Sequence, residues 1–177
     1  TRVTVQVDDD FRGMHGMVGL RYRTIVEPEA LRWLLYTTAL VAQEAGAHLF
    51  GYGNTLRPLY YRPDKPFSVT EVVDQVVGVI GKEVYWDDRM IMKGDTDATL
   101  RELALRRIVW VDQRYVPDCG KMFTNPGGLQ EVRTHALREA DIALLKEKWG
   151  DVVEMDRVTQ NGTSVNKIRV RRTNTRL

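Results

Sequence analysis

The chain has 177 residues, of which 43% are hydrophobic and 28% charged, a globular composition that excludes intrinsic disorder as its ground state. Its 26 Lys and Arg against 24 Asp and Glu leave a formal charge of +2, so no global field draws it to nucleic acid or membrane. A single cysteine, Cys119, excludes an internal disulfide and suits a reducing compartment, and no apolar run approaches the roughly 20 residues of a membrane span.

No charged segment followed by an apolar one opens the sequence, so secretion by a signal peptide is not expected; a cytoplasmic or virion location is. Arg2 to Val7 alternates polar and apolar residues and predicts a strand. "MVGLRYRTIV", with Val18, Leu20, Tyr22 and Val26 on one face, predicts a second strand in a two-stranded meander with the first. Pro28 then suits the first turn of a helix through "PEALRWLLYTTALVAQEAGAHLF". Leu31, Leu34, Leu35, Thr38, Ala42 and Ala45 form one stripe of it, and Trp33, Tyr36 and Leu40 form another. Two apolar stripes predict burial on two sides, one in the core and one at a subunit boundary.

"GYGNTLRPLYYRPDKP" has no period and is long for a connection, a mark of functional or partner-ordered loops. Ser68 to Glu71 reads as a capping box, and Val69, Val72, Val73, Val76, Val77 and Ile80 recur at helical spacing, predicting a helix that Gly81 stops. "EVYWDDRMIM" predicts a strand, Gly94 onward a short helix, and "IVWVDQRYV" a further strand ending at Pro117. Asn125-Pro126 opens a long helix whose face includes Leu129, Val132, Ala136, Ala140 and Leu144, and Gly150 ends it. Together these predict an α+β fold: a mixed, mainly antiparallel sheet, about four helices and a C-terminal β-hairpin. One domain over residues 1–172 and a basic tail over residues 173–177 complete the organisation.

The hairpin is centred on Asn161-Gly162, the residues a type I′ turn prefers. That turn sets Asp156 opposite Lys167 and Glu154 opposite Arg169, while Val153 faces Val170 and Met155 faces Ile168. A nucleic-acid wing should present unpaired cations to phosphates. Here the register opposes two of them with carboxylates and pushes the free positive charge to Arg171, Arg172 and Arg176, with Asp151 offsetting Arg172 as well if the ladder runs that far.

Other chemistry is weaker. Asp8 to Asp10 with Asp87, Asp88, Asp95 and Asp97 contain the carboxylates of a two-metal site, yet the first three suit a turn and the last two suit a helix N-terminus. Cys119, His15, His48 and His135 lie in no nucleophile or zinc motif. Gly51 with Gly53, and Gly127-Gly128, fit no phosphate loop. The loop residues Tyr52, Arg57, Tyr60, Tyr61 and Arg62 combine the types that stack bases and those enriched in protein interfaces; with a net charge near zero, protein is the expected partner.

The expectation is therefore a non-enzymatic structural or assembly subunit, homo-oligomeric, without cofactor or catalytic residues. A phage virion neck or tail component is one setting that suits it. Its partner-binding residues are Tyr52, Arg57, Tyr60, Tyr61, Arg62, Arg171, Arg172 and Arg176. Nucleic-acid binding through the Tyr/Arg loop and basic tail, and metal-dependent nuclease chemistry, are the competing expectations.

Overall fold

The computed structural model describes residues 2–18, 21–54, 61–119, 134–160 and 163–170. Ten strands and three α-helices occur among them. In chain order they are β1 (Val3–Val7), β2 (Gly13–Val18), β3 (Arg21–Ile25), α1 (Pro28–Glu44), β4 (Leu49–Tyr52), β5 (Phe67–Ser68) and β6 (Val76–Ile80). Then follow α2 (Gly94–Arg106), β7 (Trp110–Asp112), β8 (Tyr115–Asp118), α3 (His135–Trp149), β9 (Val153–Gln160) and β10 (Thr163–Val170).

A five-stranded sheet of order β1-β6-β4-β7-β5 forms the centre, antiparallel except where β4 and β7 run parallel. Period-two alternation decides what each face meets. Phe50 of β4 and Ile80 of β6 pack with Ala39 and Ala42 of α1 on one face. On the other face Leu49, Val77 and Val111 pack with Leu103 of α2. Behind α2 lies α3: Leu100 shares a cluster with Leu145, Met90 and Val153. The layers run α1, sheet, α2, α3. A second sheet of order β3-β2-β8 packs under the first half of α1, where Met14, Ile25 and Tyr115 meet Leu31, Leu34 and Leu35.

Several expectations are corrected. The valine run from Ser68 is not a helix. Residues 67–68 and 76–80 are strands joined by an irregular segment, and Ser68 Oγ accepts only a local bond from the Thr70 amide at 3.4 Å. Branched side chains prefer the pleated surface of a sheet, and here that preference outweighs the capping signature. Gly78 shows why the run has to be sheet: it sits opposite Phe50, and a Cβ there would lie 2.0 Å from the phenyl ring. The helix count is therefore three among the described residues.

The expected meander is also different. β1 pairs with β6, Val3 opposite Ile80, while "MVGLRYRTIV" contributes the end of β2 and all of β3, which pair with Met17 opposite Tyr22. α1 ends at Glu44; Gly46, with φ of +79°, turns the chain so that Leu49 and Phe50 enter β4. "EVYWDDRMIM" is irregular, and "IVWVDQRYV" splits into β7 and β8, which belong to different sheets. The start expected at Asn125-Pro126 lies outside the described residues; α3 is capped by Thr134, whose hydroxyl accepts from the Leu137 amide at 3.1 Å. At the C-terminal end β9 and β10 pair antiparallel, Gln160 opposite Thr163 and Val153 opposite Val170, with the turn residues Asn161 and Gly162 outside the described set.

Candidate protein-interaction face

The first helix carries the most unusual surface among the described residues. Pro28 occupies its first turn. Its inward side is bound by burial: Thr38, Ala39 and Ala42 are buried and small, so the helix sits close on the sheet. The opposite side carries Trp33, Tyr36 and Leu40 at helical spacing, with exposures of 64%, 54% and 44%, and Val41 beside them is similarly exposed. The Trp33 and Tyr36 rings stack, with centroids 5.6 Å apart and planes 21° from parallel. Thr37 lies one turn after Trp33 and is exposed, its hydroxyl donating back to the carbonyls of Trp33 and Leu34.

Carboxylates stand at both ends of this stripe, and exposed Arg32 lies on its edge beside Glu29 and Tyr36. Glu29 lies one turn before Trp33 and Glu44 one turn after Leu40, both exposed. Glu29 favours the positive end of the helix, but Glu44 stands at the negative end, where no basic residue occupies the last turn. A recess of about 200 Å³ lies just beyond, lined by Gln43, Gly46, Ala47, His48 and Glu83 among others. His48 Nδ1 is 3.7 Å from the Glu83 carboxylate, which Arg106 also engages along with Glu102.

The residues expected to contact partners are scattered. Tyr52 is 1% exposed and belongs to the core beside Met14 and Val76, so its ring is not a contact surface. Burial pushes its phenol well above the usual range. Its position in "LFGY" fits that outcome, because β4 is buried along its whole length. Tyr61 is half-buried, and Arg62 is exposed with its guanidinium on Asp64 at 2.8 and 3.3 Å. Arg57, Tyr60, Arg171, Arg172 and Arg176 lie outside the described residues.

The expected carboxylates divide into two groups: Asp87 and Asp97 share Lys148, whereas Asp95 feels the charges of Asp74 and Asp8. Asp87 accepts from Arg89 at 2.7 and 2.9 Å and from Lys148 at 2.9 Å, contacts that hold its carboxyl well below the usual range. Asp97, wholly buried, accepts from Lys148 Nζ and Trp149 Nε1, each at 2.7 Å. Asp112 and Arg114 repeat the Asp87–Arg89 geometry, with Arg114 also over the Phe67 ring at 4.7 Å. Asp8, Asp10 and Cys119 do come together, one ligand-type atom from each lying within 4.8 Å of the others. The thiol there is buried and is pushed up to about 12, by that burial and then by Asp8, Asp10, Asp118 and Asp74, so it stays protonated at neutral pH.

No family model, curated protein or solved structure matches this chain. Among the described residues no helix is long and apolar enough to cross a membrane.

Proposed function

We propose that this chain is a non-enzymatic assembly subunit whose α1 face is a contact surface for protein. The exposed Trp33, Tyr36 and Leu40 stripe supports this reading most directly. A soluble domain gains nothing in its own stability from leaving a tryptophan, a tyrosine and a leucine side by side in water. Contiguous patches of that kind mark interfaces, and aromatic residues supply most of the binding energy where they are found. A virion neck or tail ring is one assembly in which such a subunit would serve.

The hairpin register is consistent with protein rather than phosphate as the partner. Backbone pairing sets Asp156 opposite Lys167 and Glu154 opposite Arg169, a register that favours residues of opposite charge across the two strands. Nucleic-acid binding through the loop and tail predicts instead a gel shift that weakens steeply with salt.

The test is the mass of the native chain by sedimentation, alongside Trp33→Glu with Tyr36→Ser. The reading expects a multiple of the chain mass for the wild type and a single-chain mass for the variant, with unchanged circular dichroism. Tyr60→Ala with Tyr61→Ala asks the same of the loop. A wild type that sediments as one chain at every concentration, and gains no mass with other proteins of its native particle, removes the proposal.

A further inference from the structure

We infer that β1 pairs antiparallel with β1 of a second copy of this chain, about a two-fold axis through Val5, so that two central sheets join into one. This contact is additional to the α1 face and is tested apart from it.

The two edges of the central sheet are built differently. β5 closes one edge with only two residues, Phe67 and Ser68, directly after Pro66. Short strands and prolines are how sheet edges are kept from pairing with other chains. β1 forms the opposite edge over five residues, "VTVQV", without a charge, a proline or a glycine. Val3, Thr4, Gln6 and Val7 are all exposed, and β6 is the one strand paired with β1 among the described residues.

The ladder to β6 shows which backbone groups of β1 face outward. The Gly81 N–H donates to the Arg2 carbonyl at 2.9 Å, and the Asp8 N–H donates to the Gln75 carbonyl at 3.1 Å. Hydrogen-bonded positions alternate along an antiparallel pair, so Arg2, Thr4, Gln6 and Asp8 bond toward β6. The N–H and C=O groups of Val3, Val5 and Val7 point the other way. A second β1 turned about Val5 offers the same three positions in return. Val3 meets Val7, Val5 meets Val5, and Val7 meets Val3, each as a hydrogen-bonded pair.

The side chains suit that register as well. Arg2 falls opposite Asp8 of the second copy, twice by symmetry, and Thr4 falls opposite Gln6. A shift of two residues either way keeps only two of the three valine pairs and separates Arg2 from Asp8. The register that uses the whole strand is therefore the charge-matched one. Val5 packs against the cluster of Ala39 and Ala42 beneath α1, and Val3 and Val7 share its face by alternation. Pairing continues this apolar row from one copy into the next and takes Val3 and Val7 out of water.

Two strands of this length bury much less than the about 800 Å² per partner of a stable interface. The pair is therefore weak by itself and stays closed only between copies that a further contact holds together. A covalent trap reads such a pair where sedimentation does not.

Thr4 and the second copy's Gln6 form a non-hydrogen-bonded pair, whose Cα atoms lie about 4.5 Å apart, a separation a disulfide bridges. One full-length variant carries Thr4→Cys and another Gln6→Cys; the native Cys119 is buried. Mixed under mild oxidation, they should give at least tenfold more disulfide-linked dimer on a non-reducing denaturing gel than either variant alone. Thr4 lies only diagonally from Thr4 of the second copy, at about 7–8 Å, too far for a bridge. Adding Val5→Pro to both variants removes an outward N–H that the β6 ladder does not use. It should abolish the dimer with unchanged circular dichroism. A mixture no richer in dimer than the single variants, or a dimer that survives Val5→Pro, overturns the inference. Cross-linking in a protein whose wild type sediments as one chain supports this contact and tells against the α1 reading alone.

Discussion

The outward face of α1 and the seam between α2 and α3 use opposite materials. The seam buries charge: Asp97 is wholly enclosed, and Asp87 and Asp141 nearly so. Every one has printed its cost into geometry. Asp97 holds Lys148 and Trp149, Asp87 holds Arg89 and Lys148, and Asp141 accepts the Met92 and Lys93 amides just before α2 begins. The α1 face does the reverse, leaving its apolar groups in water. Buried charge that is fully partnered explains itself as structure. Exposed apolar surface does not, and it is there that a partner is missing.

The largest expected effect lies in the seam. Asp97→Ala leaves the Lys148 ammonium and the Trp149 indole N–H without their shared acceptor, and breaking one side of such a pair costs about 3–5 kcal/mol. Urea unfolding should show a matching fall in midpoint. Asp97→Leu combined with Lys148→Met should recover part of the loss, since an apolar replacement of the pair leaves no stranded charge. If Asp97→Ala unfolds like the wild type, the seam is not held by these bonds.

A second effect separates burial from pairing within the same helix. Asp95 also stands in the first turn of α2, but its carboxyl is pushed up to about 6, by burial first and then by Asp74 and Asp8, from an ordinary 3.8. The folded chain therefore holds this proton more tightly than the unfolded one. Its contribution to stability is fully present below about 3.8 and is lost as pH rises through about 6. Asp95→Asn, uncharged throughout, should gain about 2–3 kcal/mol over the wild type at pH 7.5. The gain should shrink by pH 4.5. A pH-independent difference between the two proteins would contradict the burial argument.

These cases show what was legible in the residues. Asp95 and Asp97 were readable as helix N-terminal carboxylates, and both do lie in the first turn of α2. Nothing local revealed that Asp97 would meet Lys148 and Trp149, about fifty positions later, because that contact depends on how α3 packs. The two stripes of α1 were legible for the opposite reason: helical periodicity is local, and Trp33, Tyr36 and Leu40 needed no tertiary knowledge to be placed opposite Thr38 and Ala42. Period misled in the valine run, where Val73, Val76 and Val77 satisfy helical spacing yet serve a strand and its approach. Tyr52 misled through its neighbours, since a buried strand residue stands directly before a loop of interface-like composition.

The smallest expected effect completes the comparison. Trp33→Gln with Tyr36→Gln removes the exposed ring pair but touches no core contact of α1, whose inward side is held by Thr38, Ala39 and Ala42. Exposed helical substitutions of this kind change stability by about 0.5 kcal/mol or less in either direction. The urea midpoint should therefore barely move while association is lost. A drop comparable to that of Asp97→Ala would mean that these rings are structural after all, packed on residues of their own chain. An unchanged midpoint with unchanged mass would mean that the stripe is idle surface. Only a stable fold with weakened assembly fits a face kept apolar for a partner.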